Sequence, residues 1–508
     1  MNHKFVLCVV LILIFAMAAR TPLDSDMWWH LRAGEEMVKS HHILNVDLFS
    51  YTRTGEQWIN PYWLSQVGMY ILFDYGAYLA LALAVASLAT VSMGLVYLQM
   101  DGNSILRAFI LTLGAVVASM VWSPRPQLVS LVMFGAVGYL LYLYKWRKHN
   151  RLWLLIPLFI LWANLHPGYV LGLILIASMI AGELFNHLLG YSDPAVVEWK
   201  GVVRLGVWGL LAGLAVLINP NGLSIWVIPF KTVGMGVLRE FISEWASPDF
   251  HQLVQQPFLW LLFGCLASIG ISGKHVDGSD LVSMVVFAYM AFLARRNYGP
   301  FAMVAAPVLS RHLWTACQSW WTRNREKFQP VLASMKRRII KGNAETPGER
   351  REVIPLHTNL KRFINSTILV LLGLTALVKV VAVSSPTLVD QSMHKFFPIE
   401  AVRWIQTNKP SGQMFNDYNW GGFLLWSLRD YPVFADGRTD LYDDELLRKY
   451  LKVIHGDPGW ETILDQYDIN FILMDNGSGL SRVINNKSGW KEVYQDDMAI
   501  LLIRQPVH

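Results

Sequence analysis

Asp24 and Asp26 stand two residues apart, just ahead of Trp28-Trp29-His30, and Asp47 follows in the same stretch. Carboxylates so spaced can hold a divalent cation, Mg2+ or Mn2+, through oxygen ligands, or one of them can act as a general base. An Asp at this place can equally cap the helical turn that begins near Trp28. Trp28, Trp29, Trp58 and Trp63 offer flat platforms that suit sugar rings or isoprenoid chains, although tryptophans also gather at membrane interfaces whatever a protein does. His30 and His166 are candidates for metal or acid–base work, and each alone is equally a structural hydrogen-bonding residue. Arg125, Arg295 and Arg296 carry planar donors that match phosphate oxygens. Glu244 lies in a further polar run, 242–250.

The elements that must position these residues are membrane helices. The chain has 508 residues, 54% of them apolar and only 16% charged, where a soluble protein would carry about a quarter charged. Apolar stretches long enough for a hydrocarbon core of about 30 Å recur through the first 385 residues. They read as about eleven spans: 5–20, 64–98, 105–122, 127–144, 152–165, 167–189, 204–219, 257–273, 280–295, 298–311 and 364–384. The second is too long for one simple crossing and predicts a helix lying along the membrane joined to a spanning one. Residues 5–19 could serve as a signal peptide ending at Ala16-Met17-Ala18, but the spans that follow favour a retained first helix. Cys8, Cys265 and Cys317 form no CxxC pair, so neither a disulfide framework nor a zinc site is indicated.

Charge sets the orientation. Lys4, the run from Lys145 to Arg151, Lys200 with Arg204, and the strongly basic 311–362 segment all fall on one side if the spans number eleven. The positive-inside rule makes that side cytoplasmic and accounts for the basic segment without a nucleic-acid partner. The polar motifs then share the opposite face: 24–30, 47–51, 58–63, 123–127, 164–168, 219–222, 242–250 and 295–299. Arg295 and Arg296 break the charge rule there. Such charges are usually paired or functional, or anchor lipid headgroups. The expected organisation is a transmembrane core over 1–310, a basic cytoplasmic loop over 311–363, a last span over 364–385 and an extracytoplasmic domain over 386–508. The location is a cell membrane, inner or plasma, crossed many times.

In that last domain, 413–415, 432–435, 469–474 and 498–504 read as strands, and 422–429 and 443–453 as helices, giving a small α/β fold. Asn416-Asp417-Tyr418-Asn419-Trp420-Gly421-Gly422 and Asp436-Gly437-Arg438-Thr439-Asp440 each follow a predicted strand, where α/β sheets place binding loops. Asp417, Tyr418, Asp436 and Arg438 are candidates for acceptor contact or for docking on the membrane loops, with Arg438 alternatively a buried partner of Asp436 or Asp440. Capping and tight turns are the plainer use of such residues.

The stretch from Asp24 to Leu31, with Asp47 and Trp63-Leu64-Ser65-Gln66, in a multi-span chain with an outward C-terminal domain, resembles the GT-C superfamily of membrane glycosyltransferases. That superfamily includes protein O-mannosyltransferases, bacterial lipid A sugar transferases and oligosaccharyltransferase catalytic subunits. The 416–422 segment loosely resembles the acceptor-reading Trp-Trp-Asp-Tyr-Gly of the last group, with Asn416 where Trp-Trp would stand. The resemblance implies a polytopic helical fold of the GT-C kind and a sugar donor carried on a polyprenyl phosphate or diphosphate. It implies transfer outside the cytoplasm to a glycan, lipid or protein acceptor. It makes Asp26 or Asp24 the base, or a metal ligand, and Asp47 a second acid. The alternatives are a transporter or flippase of lipid-linked saccharide, or a non-catalytic assembly protein on the same scaffold.

Overall fold

The computed structural model describes residues 3–341, 358–484 and 489–505, with side chains described for all of these except 326–341. Helices stand at every expected span position, from His3–Ala18 to Thr358–Val383. Among the described residues, six are long and apolar enough to cross a membrane by length and composition, and three shorter apolar helices join them. The count of about eleven crossings remains a reading of the charge pattern.

The Trp63–Tyr97 helix breaks at Ala77 (φ 45°, ψ −139°), which divides it as the sequence predicts. The part beyond the break, 78–97, is about 30 Å long at ~1.5 Å per residue, enough to cross by itself. The expected cytoplasmic loop 311–363 is corrected in its first half: the helix beginning at Tyr298 runs on to Lys341. Arg350 and Arg351 lie outside the described residues.

The C-terminal sheet has strands β1 (Gln413–Asn416), β2 (Ile469–Asp475), β3 (Trp490–Gln495) and β4 (Ala499–Arg504). Their order is β1-β2-β4-β3, with β1 parallel to β2 and the other pairs antiparallel. The expected strand at 432–435 is absent. Val433 makes only a single bridge, to Ser50. The Asn416 side chain replaces the missing ladder, its amide donating to the Ala435 carbonyl (2.9 Å) and accepting from Phe434 N–H (2.7 Å).

Two apolar cores result. One lies among the membrane helices. The other joins the C-terminal domain to the first polar loop. That loop carries the Met27–Ser40 helix, whose buried face packs on the Tyr418–Ser427 helix. Trp28 sits between Phe423 (5.6 Å), Phe397 (6.0 Å) and Trp426 (6.0 Å), in core rather than at an open surface. Gly422 permits the approach, since a Cβ there would fall 2.6 Å from the Ser25 carbonyl oxygen.

A buried ion cluster closes the joint. Arg438, with no exposed surface, donates from Nη2 to Asp436 (2.7 Å) and from Nη1 to Asp47. Tyr442 adds a bond to Asp436 (2.9 Å), and Phe49 N–H adds one to Asp47 (3.1 Å). Asp47, Asp436 and Arg438 therefore face one another, and the Arg438 alternative of a buried partner describes this geometry.

Removing one member of such a cluster leaves uncompensated buried charge, which costs roughly 3–5 kcal/mol. Arg438→Ala should lower the melting temperature of the full-length protein and open the 436–442 loop to protease. An unchanged melt would show that the joint does not depend on the cluster.

Candidate functional site

Beside this joint lies a cavity of about 590 Å³. Two kinds of wall enclose it. Val170, Leu171 and Ile174, on one face of the Tyr169–Leu188 helix, combine with Ile228, Val233 and Met290 into an apolar side. Val233 is 58% exposed, so the cavity reaches the molecular surface at the Val227–Gly234 helix. The other wall is polar and comes from five connecting segments and the C-terminal domain.

Local sequence explains how those segments aim their side chains. Arg125 stands between Pro124 and Pro126, so the chain turns between two helices and the second starts only at Gln127. His166 precedes Pro167, which excludes helical geometry, and it is extended (φ −167°, ψ 143°). Arg296 lies in the short turn after the Gly278–Leu293 helix.

The polar centre is Arg125. Its guanidinium meets Asp24 (2.5 Å), Asp26 (2.9 Å) and Glu244 (2.9 Å). Asp24 also accepts Asp26 N–H (2.9 Å), a local turn that orients it. Asp26 makes no cap bond to the helix it precedes, so its carboxylate is left for the cavity it lines. Its side chain is 24% exposed, and it lines the cavity. Burial pushes its pKa up to about 7, Arg125 opposes the shift, and Asp24 and Glu244 reinforce it.

Arg296 differs from Arg125. Its guanidinium lies over the Trp245 ring (4.3 Å) and makes no ion pair or hydrogen bond among the described residues. Its backbone N–H donates to the Glu244 carbonyl (3.2 Å). Arg295 does not line the cavity; its Nε donates to the Ser243 carbonyl (2.7 Å) and fixes the segment that carries Glu244.

Both histidines line the cavity as neutral rings. Gly168 N–H donates to His166 Nδ1 (2.9 Å), so that nitrogen carries no proton and Nε2 does. Burial, then Arg296, pushes its pKa down to about 3. Tyr62 N–H donates to Asn60 Oδ1, the Asn60 amide donates to Gln66 Oε1, and Gln66 Nε2 therefore faces His30 Nδ1 (3.3 Å). His30 is held well below its ordinary pKa by burial, then by Arg125 and His166.

No protein-family model matches the chain, and no curated protein matches it significantly. Solved structures do. The Archaeoglobus fulgidus oligosaccharyltransferase in its apo form matches with a TM-score of 0.57 at 13% identity, covering 93% of this chain and 69% of that one. The chain shares the fold of that oligosaccharyltransferase. ArnT from Cupriavidus metallidurans, bound to undecaprenyl phosphate, matches at 0.45 and 13% identity, covering 98% and 97% of the two chains. The mycobacterial arabinofuranosyltransferase AftD matches at 0.48 and 10%, covering 100% and 40%.

On this scaffold, Asp26, Trp29, His30, Arg125, His166, Glu244, Arg296 and Tyr418 come together around one cavity. Asp24 stands behind them on Arg125. Asp47, Asp436, Arg438 and Trp28 belong to the joint. Asp417 caps the Tyr418–Ser427 helix, accepting Asn419 N–H (2.9 Å). Sequence reasoning missed Tyr62, Trp245, Asn419, Gly437 and Thr439 as lining residues. All five sit inside polar motifs visible in the sequence; nothing in a linear motif says which member faces inward.

The carboxylates do not fit a divalent cation. Asp24, Asp26 and Glu244 converge on the Arg125 guanidinium, which occupies the place a cation would take among them. Among the described residues, no three acidic, His or Cys side chains group to hold a metal.

A carboxyl raised to about 7 is neutral below that pH and charged above it. Difference infrared spectra should show a protonated carboxyl band that fades as pH rises through 7 and is missing in Asp26→Asn. A band that persists in the variant would assign the titration to another group.

Proposed function

We propose that the protein is a membrane glycosyltransferase that moves a sugar from a polyprenyl-phosphate or polyprenyl-diphosphate donor to an acceptor outside the cytoplasm. The observation that carries this reading is the pairing, in one cavity, of an uncapped Asp26 and an unpaired Arg296 with an apolar wall that reaches the surface. An isoprenoid chain suits the apolar wall. A phosphate suits the guanidinium of Arg296, with Arg125 beside it.

The reaction balances on these residues. The acceptor hydroxyl gives its proton to Asp26 and its oxygen forms the new bond to the sugar C1. The bond from C1 to the donor phosphate breaks, and the lipid phosphate leaves with the electron pair, its charge met by Arg296. Asp24 and Glu244 act through Arg125, holding it beside Asp26. The neutral histidines present N–H donors without competing for the proton.

General base catalysis contributes typically 10²–10⁴-fold. Asp26→Asn should therefore lose transfer by about that factor while keeping the wild-type melting temperature. With the base titrating near 7, the wild-type rate should fall about tenfold per pH unit below that value. A variant that transfers at the wild-type rate, or a rate flat from pH 5 to 8, would remove Asp26 from the mechanism.

Metal removal gives a separate test. Because the Arg125 guanidinium occupies the point on which the three carboxylates converge, dialysis against EDTA should leave the transfer rate unchanged, and added Mn2+ should not raise it. A chelator-sensitive rate restored by Mg2+ or Mn2+ would show that a cation displaces the guanidinium.

A further inference from the structure

We infer that the acceptor is a neutral saccharide that presents its hydroxyl to Asp26 from the side of the C-terminal domain. This rests on the transferase reading above and names the substrate class that the same cavity takes.

The cavity lining around Asp26 includes Trp29, Tyr62, Tyr418, Asn419 and Thr439, all uncharged. It directly abuts the base: a Cβ on Gly437 would collide with Asp26 Oδ1 and fall 2.9 Å from Trp29 Nε1. The Trp29 indole N–H faces the Asp26 carboxylate. Tyr418 is 5% exposed, yet its hydroxyl is buried without a hydrogen-bond partner. Buried donors are nearly always satisfied, and those left open in a cavity wall point to a ligand that completes them.

The composition selects the ligand. Flat aromatic faces pack against the C–H surface of a sugar ring, and phenol, amide and hydroxyl groups match its hydroxyls. A peptide terminus, an acidic glycan or a phosphorylated headgroup would need a charged partner among these five residues, which offer none.

The test uses the full-length protein in nanodiscs. Binding of neutral gluco-, galacto- and manno-oligosaccharides is read by tryptophan fluorescence, beside acidic glycans, cationic peptides and an amine-bearing lipid. Transfer is read separately with a synthetic polyprenyl-phosphate sugar. We expect a neutral oligosaccharide to bind and to be glycosylated. Tyr418→Phe removes a hydroxyl that bonds nothing in the protein, so it should keep the melting temperature and raise the Kd about tenfold; Thr439→Val should weaken binding several-fold. An unchanged Kd in Tyr418→Phe, or tighter binding of a charged class, overturns the inference. Asp26-dependent donor turnover that delivers sugar to peptide or amine overturns it while leaving the transferase reading intact. Tyr418-dependent binding of a neutral glycan with no turnover of any polyprenyl donor upholds the saccharide site and defeats the transferase reading.

Discussion

A guanidinium buried between two carboxylates from distant parts of the chain holds this molecule's polar half together. Arg438 reaches Asp436 in its own loop and Asp47 in the first loop, with no exposed surface on any of the three. Burying those charges is costly unless all are paired, so the arrangement tolerates little drift between the two segments. Everything near the cavity inherits that register. Gly437 and Thr439, on either side of Arg438, form part of the cavity wall, and the Met27–Ser40 helix that follows Asp26 packs on the Tyr418–Ser427 helix. The shared apolar core makes the C-terminal domain a fixed wall of the cavity.

Arg125 plays the corresponding part inside the cavity, with a different outcome. Three carboxylates converge on one guanidinium, so the cluster carries more negative charge than its centre can balance. Asp24 also accepts a backbone N–H, whereas Asp26 has no cap bond, has the Trp29 indole beside it and lines the cavity. Burial and the two neighbouring carboxylates therefore lift Asp26 into the range where it can exchange a proton near neutrality. Arg296, stacked on Trp245 and otherwise unpaired, brings positive charge to the same space without quenching that carboxylate.

Much of the fold was legible because membrane helices announce themselves by length and apolar content. Even the break in the second long helix followed from its being too long to cross once. The sheet was harder. β3 carries Lys491 and Glu492 among its apolar residues and gave no clear alternation, and the apparent strand at 432–435 is apolar because it is buried beside Asn416, not because it pairs. In the site, residue type located the right segments but not the right members. Asp24, Asp26 and Asp47 look alike in sequence; only the partners each one meets separate an orienting group, a cavity carboxylate and a structural ion. Tyr418 and Asp417 are adjacent, yet one faces the cavity and the other caps a helix.

The opposite end of the helix bundle supplies the contrast that locates the chemistry. Lys145 belongs to the basic run that marks the cytoplasmic side in sequence, but it is fully buried and tied to Glu183 and to Asp277 (2.9 Å). Arg311, the first residue of the most basic segment, is likewise buried on Asp280 and stacked on Trp146 (4.2 Å). The positive-inside argument therefore rests on the remaining basic residues of these segments, not on these two. Each of these cations meets a carboxylate, so this end fastens helices to one another. At the end that bears the C-terminal domain, Arg296 and the Tyr418 hydroxyl lack partners around a cavity with an apolar wall. Stability alone would favour pairing or replacing such groups, and their survival beside Asp26 is what a ligand-binding role explains and a packing role does not.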